Sequence, residues 1–99
     1  MEPANLHPEG QNVEKILLVE NQMGIHARPA AMIVRTANKF EADLFFEMDN
    51  EQVNGKSIMG LMMLAASKGS VISVHATGED AEAAVEALAM LVRNRFDED

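Results

Sequence analysis

The sequence has no cysteine, no tryptophan and no tyrosine, and only 3 prolines in 99 residues. Without cysteine there is no disulfide scaffold, no thiolate nucleophile and no cysteine-ligated zinc or iron–sulfur centre. That composition fits a reducing compartment, and a cytoplasmic location is the expectation. No apolar run approaches the roughly 20 residues that span a bilayer, so membrane insertion is not expected. The stretch Met1 to Asn12 is polar, with Pro3, Pro8 and Gly10, and lacks the apolar centre of a signal peptide. It reads as a flexible leader (1–12), followed by one domain over 13–99. The length leaves no room for separate cofactor and substrate lobes, and no cofactor is expected.

Positive charge is also scarce. Eight Lys and Arg stand against 16 Asp and Glu, for a net charge of −8. Such a balance argues against nucleic-acid binding, where phosphates need cations. All 16 carboxylates fall within 1–20, 41–51 and 79–99. The stretches 21–40 and 52–78 have none, yet carry Arg28, Arg35, Lys39, Lys56 and Lys68. If these stretches meet in space they form a cationic surface suited to an anionic ligand or an acidic partner. The alternative is ordinary scatter of surface charge in a short chain.

Hydrophobic residues make up 47% of the chain, enough for a core in one small domain. Val13 to Glu20 is rich in β-branched residues and Leu and reads as a strand. Ala30, Ile33, Val34 and Ala37 recur at the spacing of one buried helix face, with Pro29 in the first turn. Asp43 to Met48 alternates as a strand, and a short strand follows near Gln52 to Asn54. Ser57 suits the N-cap of a brief helix, which Ser67-Lys68-Gly69 should stop. Val71 to Ala76 alternates again, and Thr77 to Asp80 opens a last helix with the flavour of a capping box. The order β-α-β-β-α-β-α predicts an α+β fold, a two-layer open-faced sandwich. Its four-stranded antiparallel sheet is covered on one face by three helices.

His26 is the sharpest chemical feature. It stands where the first helix begins, beside amides with no intrahelical partner. The positive helix end favours a neutral, nucleophilic ring. Arg28 adds a guanidinium able to fork onto phosphate oxygens. The set fits covalent phosphorylation of a ring nitrogen. The competing reading is a histidine that serves only as an N-cap or loop residue. A helix end contributes about 0.3–1 kcal/mol toward a nearby charge, which suits a group that is accepted and then handed on. His7 and His75 suggest neither a metal site nor catalysis, and no metal site is expected.

The segment Gly24-Ile25-His26-Ala27-Arg28-Pro29-Ala30 resembles the active-site signature of the HPr family, histidine phosphocarriers of the bacterial phosphotransferase system. Lys56-Ser57-Ile58-Met59-Gly60 resembles that family's second signature, around a regulatory serine. The similarity runs from about Val13 to Phe96. It implies that His26 accepts a phosphoryl group on Nδ1 from enzyme I and passes it to enzyme IIA domains, with Arg28 stabilising the phosphate. It further implies that Ser57 is a target of HPr kinase/phosphorylase, and that the protein is a carrier without turnover of its own, expected as a monomer. The family's docking surface carries over onto Ala27, Ala31, Ile58, Met59 and Met62, with Arg35 and Lys56 as its charged rim and Leu61 and Leu64 turned to the core. The near-absence of polar residues from 58 to 66 independently requires that part of that helix be exposed, and Met side chains suit several partners. The tail Phe96-Asp97-Glu98-Asp99 resembles the nitrogen-branch homologue, whereas Lys56 to Gly60 resembles serine-regulated members, so both branches stay open. A regulatory binding module acting through Ser57 and the Met-rich helix is the rival reading. The presence of His26 speaks against a catabolite-repression relative that lacks the histidine.

Overall fold

The computed structural model describes residues 11–98. The elements follow the order read from the sequence: β1 (Asn12–Leu18), α1 (Ala27–Ala37), β2 (Asp43–Met48), β3 (Glu51–Asn54), α2 (Ile58–Leu64), β4 (Val71–Thr77) and α3 (Ala81–Arg93). A 3-10 turn at Arg95–Asp97 was not anticipated. The strands form one antiparallel sheet in the order β1-β4-β2-β3. The fold is therefore the open-faced sandwich expected. No helix among the described residues is long and apolar enough to cross a membrane.

Alternation decides which side of the sheet is covered. Leu17, Leu44, Phe46, Ile72, Val74 and Ala76 are buried. They meet Ala30, Ile33 and Ala37 of α1, Leu61 and Leu64 of α2, and Ala84, Val85, Leu88 and Val92 of α3 in one core. Ile16, Leu18, Phe45 and Val71, one step out of phase, lie exposed on the other face. His75 shares that uncovered face, with Nε2 3.2 Å from Glu47 Oε1 and 3.8 Å from Glu14 Oε2. The hairpin β2–β3 turns at Asp49 and Asn50, both with positive φ, the geometry that matches strand twist and that Asp and Asn tolerate.

Several boundaries differ from the sequence reading. β1 begins at Asn12 and ends at Leu18; beyond it Val19 stays buried and exchanges backbone bonds with Gly69 and Ser70. Residues 1–10 of the expected leader, His7 among them, lie outside the described residues. Helix α2 stops at Leu64 rather than at Gly69, because Ala65 takes the left-handed conformation and its N–H returns to Met62 O. Asp80 is the N-cap of α3 but makes no side-chain cap bond. Its carboxylate instead accepts from the N–H groups of Glu41 and Ala42, both at 2.9 Å, tying the entry to β2 onto the start of α3.

Past α3 the backbone of Arg95, Phe96 and Asp97 has φ of 55°, 53° and 59°. That region costs L-residues roughly 1–2 kcal/mol each. The Phe96 ring is fully buried, so the apolar core holds this left-handed turn in place. Phe96→Ala is expected to lower stability by about 3–5 kcal/mol, as for other buried aromatic truncations. Denaturant unfolding monitored by circular dichroism checks this; a loss below 1 kcal/mol would show that the ring is not an anchor.

Candidate functional site

The site begins with a glycine. Gly24 has φ +67°, and a Cβ there would collide with the backbone of Ala66 and Ser67. Only a residue without a side chain lets the β1–α1 loop lie against the α2–β4 loop. The Ile25 N–H then donates to Ala66 O at 2.8 Å, and the Ile25 side chain enters the core. The next residue, His26, is left at the rim as the N-cap of α1.

The His26 backbone is extended (φ −93°, ψ −165°) and its carbonyl accepts the first helical bond, from Ala30 N–H at 2.9 Å. Its ring makes no capping bond, so His26 fills the N-cap position through its backbone alone. The amides of Ala27 and Arg28 belong to the first turn, which has no intrahelical acceptors, and Pro29 has no N–H to place. The imidazole is 31% exposed, within reach of a partner.

The structure adds a group that the sequence reading missed. Glu98 folds back so that Oε1 and Oε2 lie 3.2 and 3.3 Å from His26 Nε2. Arg28 Nη1 donates to Glu98 Oε2 and to Phe96 O, each at 2.9 Å. Asn21, fully buried, donates through Nδ2 to Gly24 O at 2.8 Å and to Glu98 Oε1 at 3.0 Å. The guanidinium expected to fork onto phosphate oxygens is engaged here with the tail. The only hint in the sequence was the acidic run after Phe96, and no local pattern says where such a run will fold.

The stretches lacking carboxylates do meet, since α1 packs against α2. The surface they make is not free of negative charge, because Glu98 enters it from the chain end. Lys56 is half-buried and its Nζ donates to Phe40 O at 2.9 Å, bridging the start of α2 to the end of α1. Arg35 is exposed in the last turn of α1. Ala27 is exposed and Ala31 partly so. Ile58, Met59 and Met62 are 41%, 72% and 44% exposed, whereas Leu61 and Leu64 are buried. Met63 of α2 and Met23 of the β1–α1 loop, not named from the sequence, are exposed as well. Ser57 caps α2, accepting from Gly60 N–H through Oγ at 3.0 Å.

The family model described as the PTS HPr component phosphorylation site matches residues 13–94. The chain belongs to the HPr family. It is 47% identical over 87 residues to the phosphocarrier protein HPr of Xylella fastidiosa, covering 88% of this chain and 98% of that one. It is also 47% identical over 81 residues to the HPr-like protein Crh of Bacillus subtilis, covering 82% of this chain and 95% of Crh. Among solved structures, HPr from Thermoanaerobacter tengcongensis superposes with a TM-score of 0.85 at 45% identity, covering 88% of this chain and 98% of that one. HPr proteins are phosphocarriers of the phosphotransferase system, and this chain shares that general role. The HPr match ends at residue 94, so Glu98 lies outside it.

The Glu98 carboxyl is held below its ordinary value of 4.5, first by the hydrogen bond from Asn21 and further by His26 and Arg28, against the opposing effect of burial. A depressed folded value means that tail docking is fully favoured above 4.5 and lost as pH falls through the lowered value. Carbon NMR of the Glu98 carboxyl should titrate below 4.5, with the Asn21 side-chain amide resonances moving in step. A midpoint at or above 4.5 would show the tail undocked.

Proposed function

We propose that this chain accepts a phosphoryl group from enzyme I on His26 Nδ1 and passes it to an enzyme IIA domain. The observation that carries this reading is the His26 ring itself, placed at the start of α1 yet making no capping bond. A ring so placed has a helix end beside it, and Arg28 adjacent. Each transfer is an in-line displacement between two histidines, with positioning and electrostatics as the protein's contribution. Arg28 must exchange part of its hold on Glu98 for phosphoryl oxygens. First-turn amides supply moderate stabilisation, so the group stays transferable. The chain works as a cytoplasmic carrier, turning over only with its partners.

Incubation with enzyme I and phosphoenolpyruvate is expected to add one acid-labile phosphoryl group, absent in His26→Ala, as read by intact mass. An unchanged mass with enzyme I from both the sugar and the nitrogen branch would defeat the proposal. Arg28→Ala should slow the transfer roughly 10- to 100-fold, the value of a charge-assisted hydrogen bond or two.

Docking is assigned to the exposed part of α2 with Ala27 and Ala31, rimmed by Arg35 and Lys56. Apolar Met side chains adapt to several partners. Met59→Asp should slow transfer from enzyme I while leaving the thermal midpoint unchanged; equal rates would remove α2 from the docking surface.

A regulatory role for Ser57 is favoured by its place as the cap of α2 beside those side chains. Phosphate there adds about −1.5 to −2 charge next to the docking face and weakens binding of an acidic partner. HPr kinase/phosphorylase with ATP is expected to give an acid-stable phosphoserine, lost in Ser57→Ala. The likeness to Crh supports this reading as an addition to the carrier role. Dimers are named among the related structures, including HPr from Thermoanaerobacter tengcongensis. We infer a monomer for this chain, which sedimentation checks.

A further inference from the structure

An imidazole has two nitrogens, and only the one without a proton is nucleophilic. Which nitrogen that is follows from the partner of the other. Both Glu98 oxygens lie within 3.3 Å of His26 Nε2. An ionised carboxylate only accepts, so the shared proton belongs to Nε2, and in the neutral ring the free lone pair is then on Nδ1. The carboxylate is fixed by donors other than the ring: Asn21 Nδ2 at 3.0 Å and Arg28 Nη1 at 2.9 Å. Asn21 is itself buried, and Arg28 is also tied to the carbonyl of the core-anchored Phe96. Glu98 is only 22% exposed in consequence.

We propose that Glu98 is a positioning residue that holds the Nε2 proton and the plane of the His26 ring, presenting Nδ1 alone to the phosphoryl donor. The inference rests on the carrier reading of His26. In the incoming step the bond from phosphorus to the donor histidine nitrogen breaks, and its electron pair stays with that nitrogen. The Nδ1 lone pair forms the new bond to phosphorus. Nε2 keeps its proton, and the positive charge gained by the ring sits beside the Glu98 carboxylate. In the outgoing step the pair returns to Nδ1 and the ring is neutral again, with no proton taken up or released. Glu98 acts through the ring and does not touch the phosphoryl group.

The test is nitrogen NMR of the His26 ring in the full chain at neutral pH, alongside phosphorylation by enzyme I and phosphoenolpyruvate. The wild type should show a protonated Nε2 whose proton exchanges slowly with water, and an unprotonated Nδ1. Glu98→Ala should lose the slow exchange, admit the other tautomer and be phosphorylated several-fold more slowly. Glu98→Gln keeps an acceptor oxygen and should recover much of both. Loss of rate in Glu98→Ala with an unaltered ring signature would make Glu98 a tether of the tail and overturn the proposal, as would unaltered exchange and rate. Wild-type protein that takes up no phosphoryl group while its ring signature is intact would overturn the carrier reading, and the role of Glu98 with it.

Discussion

The close approach of two backbones at Gly24 sets the position of everything chemical in this protein. With no side chain at that position, the loop after β1 rests on Ala66 and Ser67, and the Ile25 N–H reaches Ala66 O. Ile25 is drawn into the core and His26 is left at the start of α1. The same contact fixes the end of α2 beside the beginning of α1. The ring proposed to accept the phosphoryl group and the apolar face proposed to dock its partners are thereby coupled through one junction. Any side chain at residue 24 would push the two loops apart and move both together.

Around His26 the electrostatics are balanced rather than uniformly positive. The helix end and Arg28 favour an anion, while Glu98 supplies one from within the chain. Modest stabilisation suits a carrier, since a phosphate held strongly would not be handed on. Glu98 moderates the guanidinium in the unphosphorylated protein and orders the ring. The left-handed turn at 95–97 makes this possible. It reverses the chain after α3, and the buried Phe96 ring holds a conformation that would otherwise relax.

The second helix shows how a short element serves two purposes. Leu61 and Leu64 fasten its seven residues to the core, and Ser57 closes its N-terminus. Ile58, Met59, Met62 and Met63 remain outside because a single turn or two cannot bury a full circumference. Exposed apolar area of this kind is what the proposed docking role would use. Placing Ser57 at its edge puts one hydroxyl where added charge would be felt by any docked surface.

The layered fold could be read from local periodicity, since alternation in Asp43–Met48 and Val71–Thr77 and the three-four spacing around Ile33 each dictate which face is buried. The placement of His26, Arg28 and Ser57 at helix starts was also legible, because the signals for it lie within a few residues. The stop of α2 was misplaced by the pull of Gly69, when Ala65 took the left-handed position instead. In place of the capping bond expected of the segment before α3 there is a distant contact, Asp80 with the backbone of Glu41 and Ala42 just before β2. Glu98 was illegible for a related reason: 72 residues separate it from His26. By itself the sequence determined the elements, the buried faces and the place of His26 at a helix start, because those depend on neighbours along the chain. Only the tertiary structure decided which carboxylate meets that ring and what Arg28 holds, because charge pairing depends on distance in space and leaves no period in the sequence.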